Sequence, residues 1–187
     1  MSSTTDVRTR ILLAARSEFA AYGLAGARID RIAKAASASK ERLYAHFVDK
    51  AALFQAVLDV NAIEFHEGTA LDPTDVPAFV GLVFDHTHEH PEILRMLTWA
   101  RLEGIDYDLP GHWPAPDAKV TALREAQELG LVDSSWAPEE LLPILFGVAQ
   151  AWAQAPLVAQ LNAQDTPRAA HRSSAVEAAR RILRPKG

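Results

Sequence analysis

Apolar side chains recur every three to four residues along almost the whole of this chain, and no segment alternates apolar and polar residues as a strand would. A three-to-four spacing is the period of an α-helix with one face on a core, whereas a half-buried strand has a period of two. Runs rich in Val and Ile and bounded by turn residues do not occur, while Ala, Leu, Arg and Glu, which lose little on entering a helix, are plentiful. The expected fold class is therefore all-α, and the placing of Gly and Pro cuts the chain into eight or nine helices.

Ile11, Leu12, Ala15, Phe19 and Tyr22 set a first helix over about 6–22, with Thr4 or Thr5 as N-cap and Gly23 closing it. Short helices follow over 29–35 and over 40–46, the latter capped by Ser39, with only Ala36-Ser37-Ala38 between them. Leu53, Phe54, Val57 and Leu58 continue the period through a fourth helix over about 50–65. Asp72-Pro73-Thr74-Asp75 breaks the chain, and further helices are expected over 76–90 and, beyond Pro91, over 92–103. The segment 104–116 holds two Gly and three Pro and reads as a loop. Helices return over 117–129, over 139–154 with Pro138 at the opening turn, and over 168–184. The chain divides near residue 50, giving expected domains of 1–50 and 51–187.

Two short helices joined by a three- or four-residue turn form the geometry that lays a second helix in the DNA major groove while the first spans the backbone. Ile32, Ala33, Ala36, Leu43 and Phe47 supply the inner face of the pair, leaving Lys40, Glu41, Arg42, Tyr44 and His46 outward. Lys and Arg can pair with guanine or phosphate, and Tyr with phosphate; the competing reading is an ordinary solvated helix face. The net charge of −5 argues against a nucleic-acid partner until its distribution is considered. Residues 1–50 hold nine Lys/Arg against five Asp/Glu, and residues 51–187 hold ten against nineteen. A basic head on an acidic body is the asymmetry expected where one end meets phosphates, although scattered surface charge produces it too.

Six pieces in this part of the chain resemble, in order and spacing, the N-terminal domain of the tetracycline-repressor (TetR) family. They are Ile11-Leu12-Leu13-Ala14-Ala15, Phe19-Ala20-Ala21-Tyr22-Gly23, Ile32-Ala33-Lys34-Ala35-Ala36, Ser39-Lys40, Leu43-Tyr44-Ala45-His46-Phe47 and Lys50-Ala51-Ala52-Leu53-Phe54. Each is weak alone; the ungapped series is specific. The resemblance implies that 40–46 is the recognition helix, Tyr44 an aromatic contacting the DNA backbone, and Lys50 a phosphate-binding lysine. Arg28 is a further phosphate candidate, so the expected DNA-binding set is Arg28, Ser39, Lys40, Glu41, Arg42, Tyr44, His46 and Lys50. Three departures stand out: Ser37 where the family usually has Gly, Ala27-Arg28 where it often has a capping Thr, and Glu41 and Arg42 where it usually has small residues. They leave the operator sequence open. Glu41 could accept from cytosine or neutralise Arg42.

For the rest of the chain the resemblance is architectural, implying a helical ligand-binding bundle that pairs with a second copy through its last two long helices. Helix 139–154 is apolar nearly all round and must be buried on several sides. The expected homodimer interface is Leu141, Leu145, Val148, Ala149 and Trp152 with Val176, Ala179 and Leu183, the alternative being an internal core helix. Aromatic and soft side chains gather in mid-chain, and Phe65, Phe84, His88, Met96, Trp99, Trp113 and Trp152 are the candidate pocket for a small apolar or aromatic effector. Most such residues serve simply as core.

His86, His88 and His90, with Glu89 or His66, invite a metal reading, but Pro91 ends the helix at once and His near a helix C-terminus is favourable in any case. No metal or other cofactor is expected. Cysteine is absent, which rules out thiolate ligands and disulfides. Motifs for nucleophilic catalysis or phosphate binding are also missing, so no enzyme is expected. Neither a secretory leader nor an apolar run of about 18 residues is evident, and the expectation is a soluble, cytoplasmic protein. The leading reading is a dimeric, ligand-responsive repressor of operator DNA. Its rival is a helical ligand- or metal-binding protein whose DNA-binding head is vestigial.

Overall fold

The computed structural model describes residues 3–106, 115–154 and 166–185, and among these every regular element is a helix. In chain order they are α1 (Ser3–Gly26), α2 (Ile29–Ala35), α3 (Lys40–Tyr44), α4 (Lys50–Gly68), α5 (Val76–Glu89), α6 (Pro91–Leu102), α7 (Ala115–Glu128), α8 (Pro138–Gln154) and α9 (Arg168–Leu183). The chain falls into two compact units, Met1–Glu64 with His90–Gly111, and Phe65–Glu89 with His112–Gly187. No helix among the described residues is long and apolar enough to cross a membrane.

In the first unit, Ile11, Ala15 and Phe19 of α1 close over Ile32 and Ala33 of α2, Leu43 of α3, and Leu53 and Phe54 of α4. Phe19 and Phe54 meet edge to face with centroids 4.9 Å apart, the geometry that places a positive ring edge on a negative ring face. The unit also contains α6, which packs along α1. Arg95 Nε and Trp99 Nε1 both donate to the Ala20 carbonyl, at 3.0 and 3.2 Å. Gly23 has a φ of 67°, which breaks α1 three residues before its end. The Glu103 carboxylate then accepts from the Leu24 and Ala25 amides that this break exposes, at 3.0 and 3.3 Å. A side chain at Gly23 would collide with Glu103 and Trp99, so space as well as backbone angle calls for glycine.

In the second unit, Phe79, Val80, Val83 and Phe84 of α5 pack with Leu123 and Ala126 of α7, Leu141, Leu145 and Ala149 of α8, and Ala175, Ala179 and Leu183 of α9. The Asp133 amide donates to the Leu183 carbonyl at 2.9 Å and ties down the end of α9. Pro143 lies within α8 but on its exposed side.

Three helices end alike. After α2, α6 and α7 a residue with positive φ sends its amide back to the helix, and the next amide reaches five residues back. Gly104 and Gly130 occupy that position after α6 and α7; after α2 it is Ser37, with φ 51°.

Candidate nucleic-acid interface and effector site

The α2 pair of hydrogen bonds, Ser37 to the Lys34 carbonyl at 3.1 Å and Ala38 to the Ala33 carbonyl at 2.9 Å, fixes a tight turn into α3. Arg10 Nε adds a bond to the Ala36 carbonyl at 3.1 Å. Ser39 then caps α3, its hydroxyl accepting from the Arg42 amide at 3.2 Å. The Glu41 carboxyl lies below its usual range because its own backbone amide and the Ser39 hydroxyl bond to it. Leu43 is fully buried and anchors the helix, and Ser39, Lys40, Glu41, Arg42 and Tyr44 are exposed around it. Tyr44 keeps 49 % of its surface open although it is large and aromatic. Helix α3 is shorter than the 40–46 expected. Both the His46 and Phe47 amides fold back on the Leu43 carbonyl, which lets Phe47 return to the core and leaves His46 half-buried beside it.

Two of the expected phosphate ligands already have partners. The Arg28 guanidinium closes on Asp30 through Nε at 3.2 Å and Nη2 at 3.0 Å, which holds the Asp30 carboxyl below its usual range. Lys50 Nζ donates to the carbonyls of Ala25 at 3.1 Å and Ala27 at 3.0 Å, where α1 ends. An ammonium has three N–H donors, and these two carbonyls take up two of them. Arg31 pairs with Glu18 at 2.7 Å and lies over the Tyr22 ring, 4.3 Å from its centroid.

The expected pocket residues separate between the units. Met96 is fully buried in the first unit, where Asn61 Nδ2 reaches its sulfur at 3.6 Å, and Trp99 is bonded to α1 in the same unit. Phe65, Phe84, His88 and Trp152 belong to the second unit, where the rings form two series. In one, Phe84 stacks on His88 at 4.1 Å and meets Trp152 at 6.1 Å, and Trp152 stacks on His171 at 5.1 Å. In the other, His86 meets Phe65 at 5.1 Å, Phe65 meets Phe146 at 5.8 Å, and Phe146 meets Phe79 at 5.5 Å. Trp113 lies outside the described residues. Beside the second series sits a residue that the periodicity did not single out. Lys119 is 4 % exposed, its Nζ donates to the Thr69 carbonyl at 2.7 Å, and burial lowers its pKa to about 8. Lys119, Leu123 and Ala126 share one buried face of α7, and that register was the available signal.

Of the residues expected to pair with a second copy, Leu141, Leu145, Ala149, Ala179 and Leu183 are buried within the single chain. Val148, Trp152 and Val176 are half-buried, and next to them Ile144, Gly147 and Ala151 of α8 are exposed. Among the described residues no group of three or more His, Asp or Glu side chains is placed to hold one metal ion.

Known proteins match both regions of the chain. The pattern described as bacterial regulatory proteins, tetR family, covers residues 11–57, and that of the tetracyclin repressor-like C-terminal domain covers 75–181. The HTH-type transcriptional repressor SCO4008 of Streptomyces coelicolor is 36 % identical over 149 residues, which are 78 % of this chain and 77 % of that one. The crystal structure of SCO4942, named a transcriptional regulator of the same organism, is 39 % identical with a TM-score of 0.85, covering 95 % of this chain and 98 % of that one. A Clostridium perfringens protein named a fatty acid metabolism regulator shares the fold at 17 % identity and a TM-score of 0.68, over 95 % and 100 % of the two chains. With the helix-turn-helix in place and both family patterns matched, the chain belongs to the tetracycline-repressor family of transcriptional regulators.

Proposed function

We propose that this chain is a homodimeric repressor that grips operator DNA through α3 and lets go when a small apolar or aromatic effector binds in the second unit. The observation behind the DNA half is the exposed set Lys40, Arg42 and Tyr44 on a helix fixed from behind by Leu43 and at its start by Ser39. Those groups suit base edges and phosphates, and Ser39, Glu41 and His46 border them. Lys50 adds one phosphate contact with its third donor, and Arg28 adds another once its guanidinium leaves Asp30. Two copies are needed because one short helix reads few base pairs, and half-sites about 34 Å apart combine two modest affinities.

Pairing is assigned to the exposed side of α8 and the adjoining side of α9, where Ile144, Gly147, Val148 and Ala151 leave apolar surface uncovered in one chain. The effector half is supported by the aromatic series of the second unit. Repression rather than activation follows the name of the Streptomyces coelicolor relative.

Gel shift and footprinting on the DNA flanking the protein's own gene test the reading. The expected result is a protected site with two half-sites and an affinity that falls steeply with salt. A chain that gives no specific complex at low salt is not an operator-binding regulator.

A further inference from the structure

Lys119 stands apart from the ion-paired cations of the second unit. Arg124, Arg168, Arg172, Arg180 and Arg181 lie toward the surface, and each pairs with a carboxylate of Glu139, Asp85, Glu89 or Glu177. Lys119 is buried, and among the described residues no carboxylate forms an ion pair with it. Its one polar contact there is the Thr69 carbonyl, and the Phe79 ring lies 5.5 Å from Nζ. Thr69 is itself fully buried, with its hydroxyl bonded to the Phe65 carbonyl at 2.6 Å.

An ammonium carries three donors and a full charge, and a dry interior penalises both unless they are met. One carbonyl meets one donor, and a ring face offsets part of the charge. A methionine would fill the same space and leave only the buried Thr69 carbonyl without its donor, a need that a neutral amide also meets, so the carbonyl accounts for a donor here but not for a full charge. The burial that lowers its pKa to about 8 still leaves the group charged at neutral pH. From Phe79 the rings run on through Phe146 and Phe65, so the charge sits at the end of an aromatic series.

We infer that Lys119 is the charge-recognising residue of the effector site, and that the effector is an anion: a carboxylate on an aromatic or apolar body, with the carboxylate on Lys119 and the body against Phe79 and Phe146. This rests on the reading that the second unit binds the effector.

The test is calorimetry on the full chain with two probes that differ only in charge, 2-naphthoate and 2-naphthamide. The carboxylate is expected to bind at least tenfold tighter, and Lys119→Met to abolish that preference while the amide binds as before. Lys119→Gln, which keeps a donor for the Thr69 carbonyl, is expected to lose the preference in the same way. Equal binding of the two probes to the unaltered chain, no binding of either, or a preference that persists in either variant overturns the inference. Because no DNA is present, this outcome is separate from the gel shift: a chain that binds the operator but shows no charge preference loses only the role given to Lys119.

Discussion

Lys50 and Lys119 each hold a backbone carbonyl with an ammonium, yet they belong to opposite kinds of surroundings. Lys50 is half-exposed and closes the end of α1 through the Ala25 and Ala27 carbonyls. Lys119 is 4 % exposed and has one carbonyl, Thr69, and a ring face. Around Lys50 two carbonyls and a half-open position in water meet the charge, so it costs little. Around Lys119 the charge has been taken inside, where one carbonyl and a ring face meet only part of its cost. The first unit also encloses a cation, Arg16, but pairs it with Glu64 at 2.6 Å; the second encloses Lys119, which no carboxylate among the described residues pairs.

The largest effect tests whether the exposed face of α3 depends on the core behind it. Phe54→Ala removes the ring that meets Phe19 in a site only 1 % exposed. A loss of about 3–5 kcal/mol is expected in urea unfolding, with operator binding lost at temperatures where the unaltered chain still binds. A variant that stays as stable and binds as well would separate the recognition face from this core.

The next prediction concerns the enclosed charge. Below about pH 8 Lys119 is charged in both folded and unfolded chains, and the burial cost is fully present. Between that pH and its ordinary value of 10.5 the folded chain gives up the proton while the unfolded chain keeps it, so stability rises with pH. The rise amounts to at most about 3 kcal/mol. Lys119→Met lacks it, and the gap in unfolding free energy between the two proteins should shift by that amount from pH 7 to pH 10.5. Parallel pH profiles would mean that Lys119 has a counter-charge after all.

Smaller in stability, but double in kind, is the effect of Lys50→Ala. It leaves the Ala25 and Ala27 carbonyls without their donor, at about 1–2 kcal/mol. It also removes a phosphate contact, for a roughly tenfold weaker operator complex and a salt slope reduced by about one. Unchanged DNA affinity with reduced stability would make Lys50 a purely structural cap. Tyr44→Ala removes a side chain that is half open to water and bonds nothing in the core, so it should weaken DNA binding far more than stability.

How much of this was legible in the sequence follows from how local each feature is. Helix α2 runs over Ile29–Ala35, as spacing and the following turn predict, because everything that bounds it lies within a few residues. The exposed face of α3 is local in the same way. Met96 and Trp99 are a different case. Being aromatic or soft says that a side chain packs, but not against which helix, and these two join α1 rather than the rings of the second unit. Helix α8 is apolar on most sides, so its sequence could not say which side meets its own chain; Leu141, Leu145 and Ala149 face inward and Ile144 outward. Lys119 was hidden because a helical lysine is normally solvated.

Ser37 is where the sequence raised a question that geometry answers. The matching positions after α6 and α7 are Gly104 and Gly130, with φ of 64° and 71°, and neither would meet any neighbour if given a side chain. Glycine therefore sits there for its backbone freedom alone. After α2 the same pair of hydrogen bonds forms with a serine at φ 51°, so the turn is kept and the strain of a left-handed L-residue, about 1 kcal/mol, is borne. Ser37→Gly should relieve that strain. Part of the gain is offset by the greater freedom of glycine in the unfolded chain, leaving a stabilisation of roughly 0.5 kcal/mol in urea unfolding. Operator affinity should hardly change, because the Ser37 and Ala38 amides keep their acceptors and α3 keeps its direction. A destabilised variant would show that the Ser37 side chain makes a contribution larger than its strain. A variant with altered DNA affinity would show that the exact angle of this turn, and not only the residues of α3, sets how the helix meets the groove.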